Sequence, residues 1–309
     1  SMTAGIIREN ISGIITEVGG RTSHSAILAR ALEIPAVLSI DNITKELIDG
    51  EVVIVDGTDG SVIASPGSEE VEKYRELKKS FDDEKKELLK LAGKPTVTAD
   101  GRRVELLCNI GKPDDCALVI ERDGEGVGLF RTEFLYMDSK EQPGEEQQFE
   151  AYKKAAMTLK GKPVTIRTLD VGGDKDIPYL GLEKEDNPFM GFRAVRYCIK
   201  NQDLYKTQLR ALMRASAFGD IRIMIPLVTC VEEVRAVKKL VAEIASELDQ
   251  NGVAYNKDIK VGVMMETPAA AVIADLLAKE ADFFSIGTND LTGYTMAADR
   301  GNANVAYLY

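Results

Sequence analysis

The sequence predicts an α/β protein in which a small α/β unit, then one long helix, precede a (β/α)8 TIM-type barrel. Three observations predict it. Up to Gly67, short apolar runs alternate with Gly and Asp-Gly turns. From Ser68 to Leu91 the composition shifts to Glu, Lys and Leu, with apolar residues at helical spacing. From Pro95 onward, strand-like runs alternate with helical stretches, the signature of repeated βα units. Six strands precede Tyr309 where such a barrel needs eight, so the barrel is expected to be cut short at its C-terminus.

In the first unit, Ile14-Ile15-Thr16 reads as a strand end and Ser25–Leu32 as a helix with Ile27, Leu28 and Leu32 on one side. Val52–Val55 and Ser61–Ala64, joined by the turn-rich Asp56-Gly57-Thr58-Asp59-Gly60, read as a hairpin. The unit is short for a domain, and something N-terminal is expected to be missing. Ser1-Met2 reads as an expression scar. Val71, Tyr74, Leu77, Phe81, Leu88 and Leu91 predict one amphipathic connector helix that packs one face and leads into Gly93-Lys94-Pro95.

In the barrel, the expected strands are Val104–Asn109, Val127–Arg131, Val164–Leu169, Ile221–Val228, Val261–Glu266 and Phe283–Ile286. Several are nearly continuous apolar runs, as parallel strands covered on both faces require. The helices are expected at Glu145–Leu159, Leu204–Phe218, Val231–Leu248 and Ala269–Ala278. The domains are therefore 1–67, a linker helix 68–93 and an incomplete barrel 94–309.

Composition excludes several functions. The chain has 39 Lys and Arg against 50 Asp and Glu, a net charge of −11 that argues against nucleic-acid binding. No apolar run approaches the ~20 residues of a membrane span, and the opening residues lack a signal-peptide pattern. A cytoplasmic protein is expected. The single histidine, His24, rules out multi-histidine zinc sites and HExxH metalloproteases. Cys108, Cys116, Cys198 and Cys230 show no paired spacing and read as free thiols. There is no Walker A motif, and Gly124-Glu125-Gly126-Val127-Gly128 is not a dinucleotide fingerprint.

Barrel chemistry belongs at the C-terminal strand ends. Those ends carry Arg131-Thr132-Glu133, Arg167-Thr168-Leu169-Asp170, Met265-Glu266-Thr267 and Gly287-Thr288-Asn289-Asp290. Two arginines and the carboxylates of these segments, Glu266 and Asp290 among them, thus converge on one rim, with Arg300 soon after the last strand. Arginine suits bidentate recognition of phosphate or carboxylate. Paired carboxylates beside a phosphate are the usual way to hold Mg²⁺. A single strand-end Arg or Asp is more often a surface ion pair, but several on one rim point to a site. Lys175, in a glycine-rich loop, and Arg193 stand either as ligands or as ordinary loop residues.

His24 follows Gly19-Gly20-Arg21-Thr22-Ser23 at the start of the expected helix. A lone histidine is most often structural. At a helix N-terminus, however, free N–H groups favour an anion and keep an imidazole neutral. A neutral imidazole there can accept a phosphoryl group and have it stabilised.

The stretch Gly19-Gly20-Arg21-Thr22-Ser23-His24-Ser25-Ala26-Ile27-Leu28-Ala29-Arg30 resembles the phosphohistidine signature of the phosphoenolpyruvate-utilising enzymes. Asp282-Phe283-Phe284-Ser285-Ile286-Gly287-Thr288-Asn289-Asp290-Leu291-Thr292 resembles their second signature. Gly128-Leu129-Phe130-Arg131-Thr132-Glu133-Phe134-Leu135-Tyr136 and the compact spacing most resemble the enzyme I family of the bacterial sugar phosphotransferase system. The resemblance runs through essentially the whole chain.

The resemblance implies that residues 1–67 are part of a swivelling phosphohistidine domain with a hinge near Pro66–Ser68. It implies that His24 takes the phosphoryl group of phosphoenolpyruvate and passes it to the phosphocarrier protein HPr, giving pyruvate, as the first step of sugar uptake. Arg131, Arg167, Asn289, Asp290 and Arg300 match positions that hold phosphoenolpyruvate, and Lys175 and Arg193 match further site positions. Glu266 and Asp290 match the Mg²⁺ ligands. The family also implies a homodimer formed through the barrel. Its members carry an HPr-binding subdomain, further barrel strands and an acid cysteine that none of the four cysteines here matches, so this chain alone is expected to transfer poorly. Two rival readings are a pyruvate,phosphate dikinase or phosphoenolpyruvate synthase, which passes the group toward a nucleotide, and a module that senses phosphoenolpyruvate without transfer.

Overall fold

The computed structural model describes residues 11–19, 25–26, 29, 33–172, 177–299 and 302–309, the side chains of 303 and 306 excepted. The chain divides into two compact units, Ser1–Ala92 and Gly93–Tyr309.

In the first unit, β1 (Ile14–Ile15) pairs in parallel with β2 (Ala36–Val37), Ile14 opposite Ala36. Ser25, Ala26 and Ala29 are helical; the rest of the expected 25–32 helix lies outside the described residues. The four-residue helix α1 (Ile43–Glu46) buries Ile43. The expected hairpin is β3 (Val53–Asp56) and β4 (Ser61–Ala64), antiparallel with Asp56 opposite Ser61. Its loop is built by side chains that replace missing ladder bonds. Asp56 Oδ1 accepts the Thr58 N–H at 2.8 Å, Asp59 Oδ1 accepts the Ser61 N–H at 2.9 Å, and Gly60 takes φ +82°.

Helix α2 (Ser68–Leu89) starts where the Glu70 carboxylate accepts the Gly67 N–H at 3.0 Å. The expectation that it packs one face is corrected. Among the described residues none of its side chains is buried, and Leu77, Leu88 and Phe81 stand out, the last 62% exposed. Val71 and Tyr74 are half-buried, but beyond them the apolar positions Leu77, Phe81 and Leu88 are exposed, and i,i+3 ion pairs such as Lys86–Asp83 support the exposed faces.

The second unit is a curled, all-parallel half-barrel sheet. Its strands are β5 (Cys108–Ile110), β6 (Val127–Arg131), β7 (Val164–Arg167), β8 (Ile221–Ile225), β9 (Lys260–Met265) and β10 (Phe284–Ile286). They lie in sequence order, each paired with the next. A strand order that never reverses belongs to a barrel-type winding rather than a doubly wound sheet. Among the described residues β5 and β10 do not pair with each other.

The first strand is shorter and later than the expected 104–109. Val104 and Leu106 are exposed, and the Leu106 N–H goes to Glu125 Oε2 at 2.7 Å instead of a ladder partner. The helices α3 (Cys116–Glu121), α5 (Glu145–Leu159), α7 (Gln202–Ala215) and α8 (Val231–Gln250) return the chain between strands, and the short α4 (Glu133–Met137) and α6 (Ala194–Lys200) sit in the connections. Helix α5 buries Phe149, Tyr152, Ala156 and Leu159 on one stripe, and α8 buries Val234, Val237, Ile244 and Leu248. Each of these side chains larger than alanine contributes about 1.5–3 kcal/mol when fully buried. Helix α5 stops where Lys160 turns left-handed at φ +49°. The expected 204–218 helix ends in a 3₁₀ turn, Ser216–Phe218, and the expected 269–278 helix breaks at Ile273 into α9 (Pro268–Val272) and α10 (Ala274–Leu277). Helix α11 (Thr288–Met296) follows β10.

No described helix is long and apolar enough to cross a membrane. All four cysteines are free thiols, as expected.

Candidate active site

The C-terminal strand ends gather charge that the sheet interior cannot carry. Arg167 closes β7 with 7% of its surface exposed. Its Nη2 donates to Glu133 Oε1 at 2.7 Å and lies 3.0 Å from Asp170 Oδ2. Arg193, 3% exposed, sits just before α6, and its Nη2 reaches the other Asp170 oxygen at 2.7 Å. The same Nη2 stands 3.7 Å from Asp290 Oδ2, and Nη1 donates to the Tyr294 hydroxyl at 3.4 Å. Asp170 therefore bridges two buried guanidiniums. For both arginines burial is the largest influence and works against the charge, but Asp170 together with Glu133 and Glu266 at Arg167, and with Tyr294 and Asp290 at Arg193, holds each guanidinium more firmly protonated than usual. Among the described residues, Nε of both arginines is buried without an acceptor.

The loop from β7 to α6 allows this only because residue 172 is glycine. Gly172 takes φ +102°, and a Cβ there would lie 2.6 Å from Arg193 Cβ.

Glu266, 2% exposed, leaves the end of β9 and accepts the Leu227 N–H on Oε1 at 2.6 Å. Leu227 reaches that position with φ +54°, uncommon for a branched residue. Burial first, and the neighbouring negative charge of Asp170 second, push the Glu266 carboxyl up to about 7, against the opposing pull of Arg167 and the Leu227 N–H. Gly287, after β10, lies against this carboxylate. A Cβ there would stand 2.7 Å from Glu266 Cβ and 2.8 Å from its Oε2. Asp290 and Tyr294 follow on α11, where the Tyr294 hydroxyl also donates to the Phe189 carbonyl.

Four carboxylates, Glu133, Asp170, Glu266 and Asp290, thus meet two arginines. Glu133 and Asp170 are engaged by the arginines, which leaves Glu266 and Asp290 as the carboxylates that could hold a divalent cation. No cluster of three or more His, Cys, Asp or Glu shaped to hold a metal occurs among the described residues. A pair such as Glu266 and Asp290 suits Mg²⁺, which keeps water and substrate oxygens in its shell.

The sequence-derived residues divide into three groups. Arg167, Arg193, Glu266 and Asp290 come together around Asp170. Arg131 and Asn289 are at strand and helix ends of the same rim but exposed, with Arg131 opposite Arg167 in the register. His24, Lys175 and Arg300 lie outside the described residues. Sequence reasoning did not single out Asp170 as the bridge, Tyr294, Gly287 or the Leu227 amide. A carboxylate three residues past a strand-end arginine was the available signal for Asp170.

The model of the PEP-utilising enzyme, PEP-binding domain matches residues 85–309, and that of the PEP-utilising enzyme, mobile domain matches residues 1–60. The chain belongs to the PEP-utilising enzymes. Within the PEP-utilising enzymes it is similar to proteins named phosphoenolpyruvate-protein phosphotransferase. It is 52% identical to that of Priestia megaterium, 53% to that of Geobacillus stearothermophilus and 52% to that of Bacillus subtilis (strain 168). Each match covers all of this chain and 54% of the relative, so the chain spans about half the length of the curated relatives it matches.

Proposed function

We propose that this chain carries the phosphoenolpyruvate site and the phosphoryl-accepting histidine of a phosphoenolpyruvate-protein phosphotransferase. The observation that carries this reading is the pair of buried arginines bridged by Asp170, each keeping an Nε without an acceptor among the described residues. Buried donors of fixed positive charge call for an anion of about their own geometry. The identity of about half with proteins of that name, across the whole chain, supports the same reaction.

In this reading Arg167 and Arg193, with Arg131, Asn289, Lys175 and Arg300, hold the phosphate and carboxylate of phosphoenolpyruvate. A neutral His24 nitrogen attacks phosphorus. The P–N bond forms as the bond to the enol oxygen breaks, and protonation of the enolate carbon then gives pyruvate. Positioning and fixed charge do most of the work in such transfers. Glu266 and Asp290 would hold Mg²⁺, which when bound supplies positive charge beside the phosphate oxygens. Asp170 offsets the charge of the two arginines and joins them. The phosphoryl group then passes from His24 to the phosphocarrier protein HPr, the entry step of sugar uptake. Dimerisation through the barrel belongs to the same proposal.

The test is incubation of the natural protein carrying this sequence with ³²P-labelled phosphoenolpyruvate and Mg²⁺, with His24→Ala as control. Acid-labile label that is absent in the variant and discharged by HPr is expected. Discharge by AMP instead moves the chain to the dikinase or synthase branch. Absence of label leaves a module that binds without transferring.

A further inference from the structure

Beneath the charged rim lies a fully buried polar network that no charge chemistry requires. Its centre is Gln208 on α7, whose side chain has no exposed surface. Its Oε1 accepts the Leu169 N–H at 2.9 Å. Its Nε2 donates to Thr132 Oγ1 and to the Tyr152 hydroxyl, both at 3.2 Å. The Thr132 hydroxyl in turn donates to the Arg167 carbonyl at 2.8 Å, and the Tyr152 hydroxyl donates to Gln148 Oε1 at 3.0 Å. Every proton in this chain has one donor and one acceptor, which fixes the amide orientation. With the amide turned over, the Leu169 N–H would face another N–H.

The geometry points to Gln208 as a positioning residue that clamps the end of β6 to the end of β7 and so sets the placement of Arg167 and Asp170. Thr132 lies between Arg131 and Glu133, and Leu169 lies between Thr168 and Asp170. One amide therefore meets the residue immediately before Glu133, through the Thr132 hydroxyl, and the residue immediately before Asp170, through the Leu169 N–H. Strand β7 ends at Arg167; the Thr168 N–H still donates to the Met224 carbonyl at 2.9 Å, and at Leu169 the Gln208 side chain takes over as the acceptor. Gln208 touches neither guanidinium in any hydrogen bond and acts only through these strand ends. The consequence for ligand affinity rests on the phosphoenolpyruvate reading. The clamp itself does not.

The experiment uses two variants of the full chain. Gln208→Met keeps the volume and removes all three hydrogen bonds, and Thr132→Val keeps the shape and cuts the links to the Arg167 carbonyl and to Gln208 Nε2 while leaving the Gln208–Leu169 bond in place. Leu248→Ala, at the far end of α8, serves as a control matched for loss of thermal stability. Amide hydrogen exchange is followed across residues 164–172, and affinity for phosphoenolpyruvate with Mg²⁺ is measured by calorimetry. Exchange at 168–170 is expected to quicken tenfold or more in both variants and not in Leu248→Ala, with affinity falling at least tenfold. If Gln208→Met does not fold, Thr132→Val carries the comparison. Unchanged exchange in the variants overturns the clamp, as does an equal loss of affinity in Leu248→Ala. If the unsubstituted chain binds no phosphoenolpyruvate, the functional reading fails and the exchange data alone decide the clamp.

Discussion

Arg193 Nη2 stands 2.7 Å from Asp170 Oδ1 with both side chains out of solvent, and the second oxygen of the same carboxylate stands 3.0 Å from Arg167. One negative charge thus holds two positive ones at the floor of the rim. Removing it leaves two buried guanidiniums with reduced compensation. Asp170→Ala is expected to destabilise the chain by about 3–5 kcal/mol in urea unfolding. A loss under 1 kcal/mol would mean that other groups carry the arginines.

Gly287 has no room for a side chain because the Glu266 carboxylate fills the space. Gly287→Ala is expected to cost about 1–3 kcal/mol by overpacking. It should also push the carboxylate aside and weaken Mg²⁺ binding at least tenfold in calorimetry. Binding equal to that of the unsubstituted chain would separate Glu266 from the cation.

The Glu266 carboxyl is raised from its ordinary value near 4.5 to about 7. The folded state therefore binds the proton more tightly than the unfolded one between those values. Its contribution is complete below pH 4.5 and is lost as pH rises to about 7. In the presence of a chelator, stability should fall across that window, by up to roughly 3 kcal/mol from this group. Glu266→Gln should flatten that part of the profile. An identical pH profile in the variant would contradict it.

Burial pushes the Cys116 thiol up to about 11, and burial likewise raises Cys198. At pH 8 neither offers thiolate or access. Thiol labelling of the native chain should stay confined to Cys108 and Cys230, which are half-buried, and extend to all four only in urea. Native-state labelling of Cys198, found by peptide mapping, would show that the core around β7 opens.

The parts of the fold that were legible are those where one signal dominates. Val127–Arg131 and Glu145–Leu159 match the expected bounds, because an apolar run between turns and an amphipathic stripe each leave one solution. Val104 and Leu106 look like strand residues, yet a side chain distant in sequence, Glu125, takes the Leu106 amide. The exposed Phe81 shows that spacing gives a helix without saying what covers it. At the site, Arg167 and Glu266 were readable because strand ends are readable. The Arg193–Asp170 pair was not, since the two are joined across a 23-residue interval whose path depends on a left-handed glycine at 172.

Glu266 is anchored by a main-chain N–H, that of Leu227, rather than by a neighbouring side chain. Such an anchor cannot be lost by exchanging one side chain for another. Only proline at 227 deletes the donor, and glycine or asparagine would meet the left-handed backbone at less cost than leucine. The Leu227 side chain is buried and constrained by packing alone, so exchange at 227 for another apolar residue of similar volume across natural sequences would be no sign that the residue is idle.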